Sequence, residues 1–380
     1  MSEPLTLDAL LAQAAGHRAS DVHLTADQPP LMRVDGSLAP IPRISSVLPA
    51  AWLDASLRGI LSSELAEDFE RNGEVDLAHA VPGVGRFRVN AFRQVGKTAV
   101  ALRLISTKAM SLAELGAPQI ARDLALRPRG LVLVTGPTGS GKSTTLTAMV
   151  DIINETKPTH IVTLEDPIEF QHTSKRALVH QREIGSDTRS FSEALRRVLR
   201  QDPDVILVGE LRDTESIQTA LSAAETGHLV LSTLHTQGAA KSINRIIDAF
   251  PAHQQDQVRT QLGDTLQGII SQTLLPLAQK AGRTIATEVL VSTPAVANLI
   301  REGQVAQLYS AMQAGSAQGM HTLDQDLKRL VANGIISQQV ARSIAVDPKD
   351  LDNVRVRPED LDADAWSMQA TEHRTLGWAN

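Results

Sequence analysis

At 380 residues the chain is longer than one hydrophobic core usually supports, so two folded units of unequal size are expected. Hydrophobic residues at 42% and charged residues at 21% suit a globular protein; 3% aromatics leave few platforms for stacking bases, and a net charge of -6 offers no global attraction to a phosphate backbone. The absence of cysteine excludes disulfides, thiolate zinc sites and cysteine nucleophiles, and a reducing, cytosolic setting is expected.

The amino terminus, Met1-Ser2-Glu3-Pro4, lacks the basic and apolar regions of a signal peptide. No apolar run approaches the roughly 20 residues that span a bilayer, so any work at a membrane is expected to go through a partner. Residues 1–112 are predicted to form a small mixed α/β unit. In it Leu5 to Ala15 has helical spacing, and Leu31 to Leu38 reads as a hairpin turning at Asp35-Gly36, a pair that tolerates positive φ. Arg86 to Ala91 alternates polar and apolar, so one strand face carries Arg86, Arg88 and Asn90, and Ala99 to Ile105 adds a strand containing Arg103. Taken alone, these arginines read as the wet face of a half-buried sheet.

From Arg129 the pattern changes. Unbroken apolar runs at Leu131–Val134, Ile161–Leu164, Val205–Val208 and Leu229–Leu231 mark strands buried on both faces. Helical stretches separate them, such as Phe191 to Arg200, where Ser190 and Glu193 have the spacing of a capping box. This alternation predicts an α/β unit with a parallel, wound sheet over 113–346, mostly helical from about residue 240, with stops near Pro251, Pro276, Pro294 and Gly334. Residues 347–380 are rich in Asp and Glu and poor in periodic aliphatics, so a flexible acidic tail is expected there.

Four motifs carry chemistry. Gly136-Pro137-Thr138-Gly139-Ser140-Gly141-Lys142-Ser143-Thr144 fits the phosphate-binding loop, with a buried strand before it and a helix after it. Glycines let backbone N–H groups approach phosphate oxygens, Lys142 is placed to reach the β- and γ-phosphates of ATP, and the Ser143 hydroxyl to ligate Mg²⁺. Thr163-Leu164-Glu165-Asp166-Pro167 puts Glu165 and Asp166 at the carboxyl end of a strand, where ligands bind in open α/β sheets; both are candidates near the metal. In Asp204-Val205-Ile206-Leu207-Val208-Gly209-Glu210, Gly209 takes the place of a strand-end aspartate and leaves Glu210 as candidate general base. The split of roles between Glu165 and Glu210 is open. His228 and His235 bracket the last strand; an odd spacing keeps them off one face, and without a third imidazole or thiolate nearby they read as a γ-phosphate sensor or relay, or as structural histidines, rather than as zinc ligands.

Taken in order, GPTGSGKSTT, TLEDPIEF, DPDVILVGELRD and TGHLVLSTLHT resemble the four boxes of the secretion-type motor ATPases, and within them the type IV pilus retraction (PilT-like) group. Ala19 to Leu24, Arg33 to Gly36 and Phe191 to Arg196 are similar to that group as well, and the resemblance runs over roughly residues 5–345. It implies a RecA-like P-loop core preceded by a PAS-like α+β domain, and a homohexamer that hydrolyses ATP with Mg²⁺ and powers retraction for twitching motility or DNA uptake. The motor would work on the cytoplasmic face of an inner-membrane platform protein, beside other pilus ATPases and without direct nucleic-acid contact. It also implies that Arg86, Arg88 and Arg103 reach the nucleotide phosphates on domain closure. The chain lacks the four-cysteine element of assembly relatives; where retraction enzymes read AIRNLIRE, it has Ala295-Val296-Ala297-Asn298-Leu299-Ile300-Arg301-Glu302, with an arginine lost at Ala297. An accessory retraction ATPase, an assembly or secretion motor, and a RecA-type translocase are the competing expectations.

Overall fold

The computed structural model describes residues 5–34, 37–42, 44, 47–105, 109–279, 282–352 and 354. It divides into two compact units, Met1–Lys108 with Ile168–Gln171, and Ala109–Pro167 with His172–Asn380.

The smaller unit runs α1 (Leu7–Gly16), β1 (Asp21–Thr25), β2 (Leu31–Val34), β3 (Ser37–Pro40), α2 (Ala50–Ile60), α3 (Ser63–Asn72), β4 (Glu74–Val81), β5 (Gly85–Gln94) and β6 (Lys97–Ile105). Its strands pair antiparallel in the order β3-β2-β1-β6-β5-β4. Side chains alternate across the sheet, so Val22, Phe87, Val89 and Leu102 enter one core with Leu10, Leu53 and Phe69 of the helices. Hydroxyls at the helix entries accept otherwise unpaired N–H groups, Thr6 from Ala9 and Ser62 from Leu65. The expected hairpin has its flanking strands in β2 and β3; its turn residues Asp35 and Gly36 lie outside the described residues.

The larger unit begins with α4 (Ile120–Ala125), β7 (Gly130–Thr135), α5 (Lys142–Thr156), β8 (His160–Glu165), β9 (Leu178–Glu183), α6 (Phe191–Val198), β10 (Val205–Val208), α7 (Thr214–Glu225) and β11 (Leu229–Leu234). It continues with α8 (Ala239–Asp248), α9 (Gln255–Thr265), β12 (Leu266–Pro276), β13 (Arg283–Val291), α10 (Pro294–Arg301), α11 (Leu308–Ala314), α12 (Leu323–Ala332) and α13 (Gln338–Ile344). The seven-stranded sheet has the order β13-β12-β7-β11-β10-β8-β9, parallel from β12 to β9 and antiparallel only at β13. Each of the four apolar runs forms a strand, and β7, β10 and β11 are buried at every residue. Ser190 caps α6 through the Glu193 N–H, while the Glu193 carboxylate accepts from Arg197 one turn later.

Two expectations are corrected here. The stretch after residue 240 is not mostly helical throughout, because β12 and β13 form a long antiparallel hairpin on the open side of β7. β13 is rich in β-branched residues (Thr284, Ile285, Thr287, Val289, Val291), which fit a pleated surface better than a helix. The acidic tail expected from 347 does not start there either. Asp324 accepts the Val346 and Asp347 N–H groups at 2.8 Å, Pro348–Leu351 makes a tight 3₁₀ turn, and Leu351 is 0% exposed beside Leu327 and Leu330. Residue 353 and residues 355–380 of that expected tail lie outside the described residues.

Candidate functional site

Because β7, β8, β10 and β11 are parallel, their carboxyl ends share one edge of the larger unit's sheet. Thr135 pairs with Leu234, and Val208 pairs with both Ser232 and Leu164. Residues 136–141, Glu165 and Asp166, Gly209 and Glu210, and His235 all follow on that edge.

The loop leaving β7 is shaped by its glycines, with φ of 143° at Gly136, 78° at Gly139 and 86° at Gly141, values that residues with a Cβ rarely adopt. It delivers the chain into α5, whose amino-terminal end carries no side-chain cap, so its first N–H groups are free to face an anion. The Lys142 side chain is only 8% exposed and donates to the carbonyls of Gly136 at 2.9 Å and Pro137 at 3.0 Å, which holds the ammonium inside the curl of the loop. The Ser140 hydroxyl is buried inside the turn with no hydrogen-bond partner. Ser143 and Thr144 are exposed on the first turn of α5. A cationic, N–H-lined concavity of this kind fits the phosphates of a nucleotide.

At the neighbouring strand ends the carboxylates are already oriented. Glu210 accepts from Arg212 Nε at 2.6 Å, and His235 Nε2 stands 3.0 Å from its other carboxylate oxygen. The hydrogen bond and charge of Glu210 hold the Arg212 guanidinium even more firmly protonated. His235 Nδ1 stands 3.3 Å from the Thr138 hydroxyl. His235 therefore stands between the phosphate loop and Glu210, with one ring nitrogen toward each. Glu165 accepts from the Thr163 hydroxyl at 2.6 Å and from the Gln181 amide at 3.2 Å, and Asp166 is exposed. Gly209 also has a local reason: a Cβ there would lie 3.2 Å from the Leu164 carbonyl, so the close approach of β8 disfavours a larger residue.

Not every candidate converges. His228 lies at the opposite edge: its carbonyl accepts the Gly130 N–H, where β7 begins, and its ring bonds the Ala223 carbonyl at 3.0 Å. Within this chain it stays a strand's length from the loop, apart from the other candidates. Asp204, at the same far edge, accepts the His160 N–H. Arg86, Arg88 and Arg103 belong to the smaller unit, where Arg88 faces Arg103 across β5 and β6. Arg103 donates to Asp21 at 2.8 Å. Burial raises the Asp21 carboxyl, but the hydrogen bonds from Arg103 and Ser20 and the charge of Arg103 outweigh it and leave it below the usual carboxylate range. Ala297, in the altered half of the AIRNLIRE-like segment, is 9% exposed on α10, while Arg301 pairs with Asp264 at 2.7 Å.

The β12–β13 hairpin adds three side chains that the motifs did not reveal. Ser271 accepts the Gly238 N–H at 2.8 Å, and Glu288 accepts the Ala239 N–H at 2.7 Å, so both grip the exit of the His235 segment. Burial pushes the Glu288 carboxyl above its ordinary range, against the pull of the Ala239 and Leu323 N–H donors. Gln272 donates to the Ser140 carbonyl at 2.6 Å and accepts from the Thr145 hydroxyl at 2.9 Å. A polar residue inside an apolar strand was the only signal for any of them. Among the described residues no group of three or more His, Cys, Asp or Glu could hold a metal by itself, and no helix is long and apolar enough to cross a membrane.

Residues 2–344 match the model of the family described as Type II/IV secretion system protein. A protein of Pseudomonas aeruginosa named Type IV pilus retractation ATPase PilT is 52% identical over 341 residues, covering 90% of this chain and 98% of its own. A Twitching motility protein of Neisseria gonorrhoeae is 49% identical over 315 residues, 82% of this chain and 83% of its own. The solved structure described as the pilus retraction motor PilT and bound ADP superposes with a TM-score of 0.85 at 46% identity, covering 91% of this chain and 99% of that one.

Proposed function

The chain belongs to the Type II/IV secretion system protein family, and from that premise we propose that it is the ATP-hydrolysing motor that retracts a type IV pilus. The observation that carries the reading is the linkage of the phosphate loop through Thr138 and His235 to Glu210, a glutamate at the carboxyl edge of a parallel sheet. The end-to-end likeness to a retraction ATPase supplies the kind of work that hydrolysis drives.

In this reading the N–H groups of residues 139–144 and the Lys142 ammonium bind and orient the β- and γ-phosphates. Glu210 takes the proton of the attacking water, and His235, in contact with that carboxylate, reports on the γ-phosphate. Ser143, with Glu165 or Asp166 acting through water, would hold Mg²⁺, which supplies charge neutralisation at the phosphate oxygens when bound. A site that offers one hydroxyl and few carboxylates suits an ion that keeps several waters and borrows oxygens from the nucleotide. Arg86, Arg88 and Arg103 are proposed to add cationic charge to the phosphates, so that hydrolysis depends on conformation. A homohexamer, an inner-membrane platform protein as partner, and a place on the cytoplasmic face belong to the same proposal.

The test joins chemistry to phenotype. The purified chain is expected to hydrolyse ATP with Mg²⁺, and Lys142→Ala to abolish both nucleotide binding and turnover; turnover that survives the substitution would refute the site. A deletion strain is expected to be hyperpiliated and non-motile, whereas a bald strain would make the chain an assembly motor.

A further inference from the structure

Gln272 is 1% exposed and spends both ends of its amide on the phosphate loop and the helix it feeds. The rest of the residue is equally close. A Cβ on Gly136 would stand 2.2 Å from the Gln272 carbonyl oxygen, and one on Gly141 would stand 3.3 Å from its Nε2. One residue of β12 therefore touches the loop where it leaves β7, where it turns into α5, and on the first turns of that helix.

The grip on the Ser140 carbonyl has a directional consequence. The peptide joining Ser140 to Gly141 is planar and trans, so its C=O and N–H point opposite ways. Holding the carbonyl toward β12 aims the Gly141 N–H away from β12. The Thr145 bond fixes α5 against the same amide, which sets where Lys142 and Ser143 begin that helix.

We propose that Gln272 is a positioning residue for nucleotide binding, holding the Ser140–Gly141 peptide and the start of α5 in the arrangement that receives the phosphates. The inference rests on the reading of residues 136–144 as a phosphate loop. Gln272 touches no substrate; it acts through the loop, and its loss falls on affinity more than on the chemical step.

The experiment uses the full-length chain, with a fluorescent ADP titrated at equilibrium and ATP turnover measured at saturating Mg²⁺. Gln272→Leu leaves a buried carbonyl unpaired and is expected to raise the Kd for ADP and the KM for ATP by about tenfold or more, with kcat changed much less. Gln272→Glu gives a readout that a merely structural role would not move. The carboxylate accepts from Thr145 but cannot donate to Ser140, whereas the protonated acid does both. Its ADP affinity relative to wild type is expected to be low at pH 8 and to recover toward pH 5.5. Thr145→Val, monitored for folding by circular dichroism, is expected to weaken ADP in the same direction by a smaller factor, and it carries the test with Gln272→Glu if Gln272→Leu does not fold. Wild-type Kd and KM in Gln272→Leu, or a Gln272→Glu ratio flat with pH, would overturn the proposal. A wild-type chain that fails to bind ADP at all would instead sink the phosphate-loop reading beneath it.

Discussion

Glu210 and Glu165 end neighbouring stretches of one sheet edge, yet their surroundings differ. Glu210 is shared between a histidine and an arginine, while Glu165 is held by a hydroxyl and an amide. From that contrast we propose proton transfer for the first and ion positioning for the second, and the proposal yields a paired prediction. Glu210→Gln is expected to keep ADP affinity and to lower kcat by about 10²-fold or more. Glu165→Gln is expected to raise the Mg²⁺ concentration needed for half-maximal turnover. Steady-state kinetics at varied Mg²⁺ checks both, and an exchange of the two phenotypes would exchange the roles. Lys142, Glu210 and His235 were legible in the sequence because each lies within a few residues of a buried apolar run whose direction fixes where the next residue emerges. By the same logic His228, which precedes its strand, was expected at the opposite end from His235, and the structure places it there. Gln272 was beyond reach, since it is set apart from Thr145 by 127 positions and a buried glutamine has meaning only once its partner across the fold is known.

Among the elements, the hairpin β12–β13 is where the periodicity misled. Leu266, Ile270 and Leu274 repeat at the i, i+4 spacing of a helix as well as along one face of a strand. Ser271 and Gln272 are in fact buried strand residues that hold the neighbouring loops. The sequence signal that did exist lay in β13, with its β-branched residues. The closeness of β12 to the loop makes a second prediction. Gly136→Ala would place a methyl 2.2 Å from the Gln272 carbonyl at a φ of 143°, whereas Gly139→Ala at 78° meets nothing within 4 Å. The first is expected to cost at least about 3 kcal/mol of stability and the second about 1 kcal/mol, as read from denaturant midpoints.

For the molecule as a whole, the open question in the sequence was where the folded body stops. Charge and the lack of periodic aliphatics after residue 346 argued for a tail, but a single leucine supported by a buried aspartate extends the packed region past Asp347. Leu351→Ala is expected to destabilise the larger unit by about 2–4 kcal/mol, visible as a lower melting temperature, because it empties a filled site. Val346, 68% exposed, marks the contrast: Val346→Ala is expected to leave the unfolding free energy unchanged within about 0.5 kcal/mol.

Ser271 and Gln272 are consecutive, so their α-carbons stand about 3.8 Å apart and move as one rigid step of the backbone. One of them holds the exit of the histidine segment and the other the glycine turn. The glycine turn and the chain that leaves His235 are thereby tied to one covalent step of β12. A shift of that step of β12 would reach both segments, each through a single side-chain hydrogen bond.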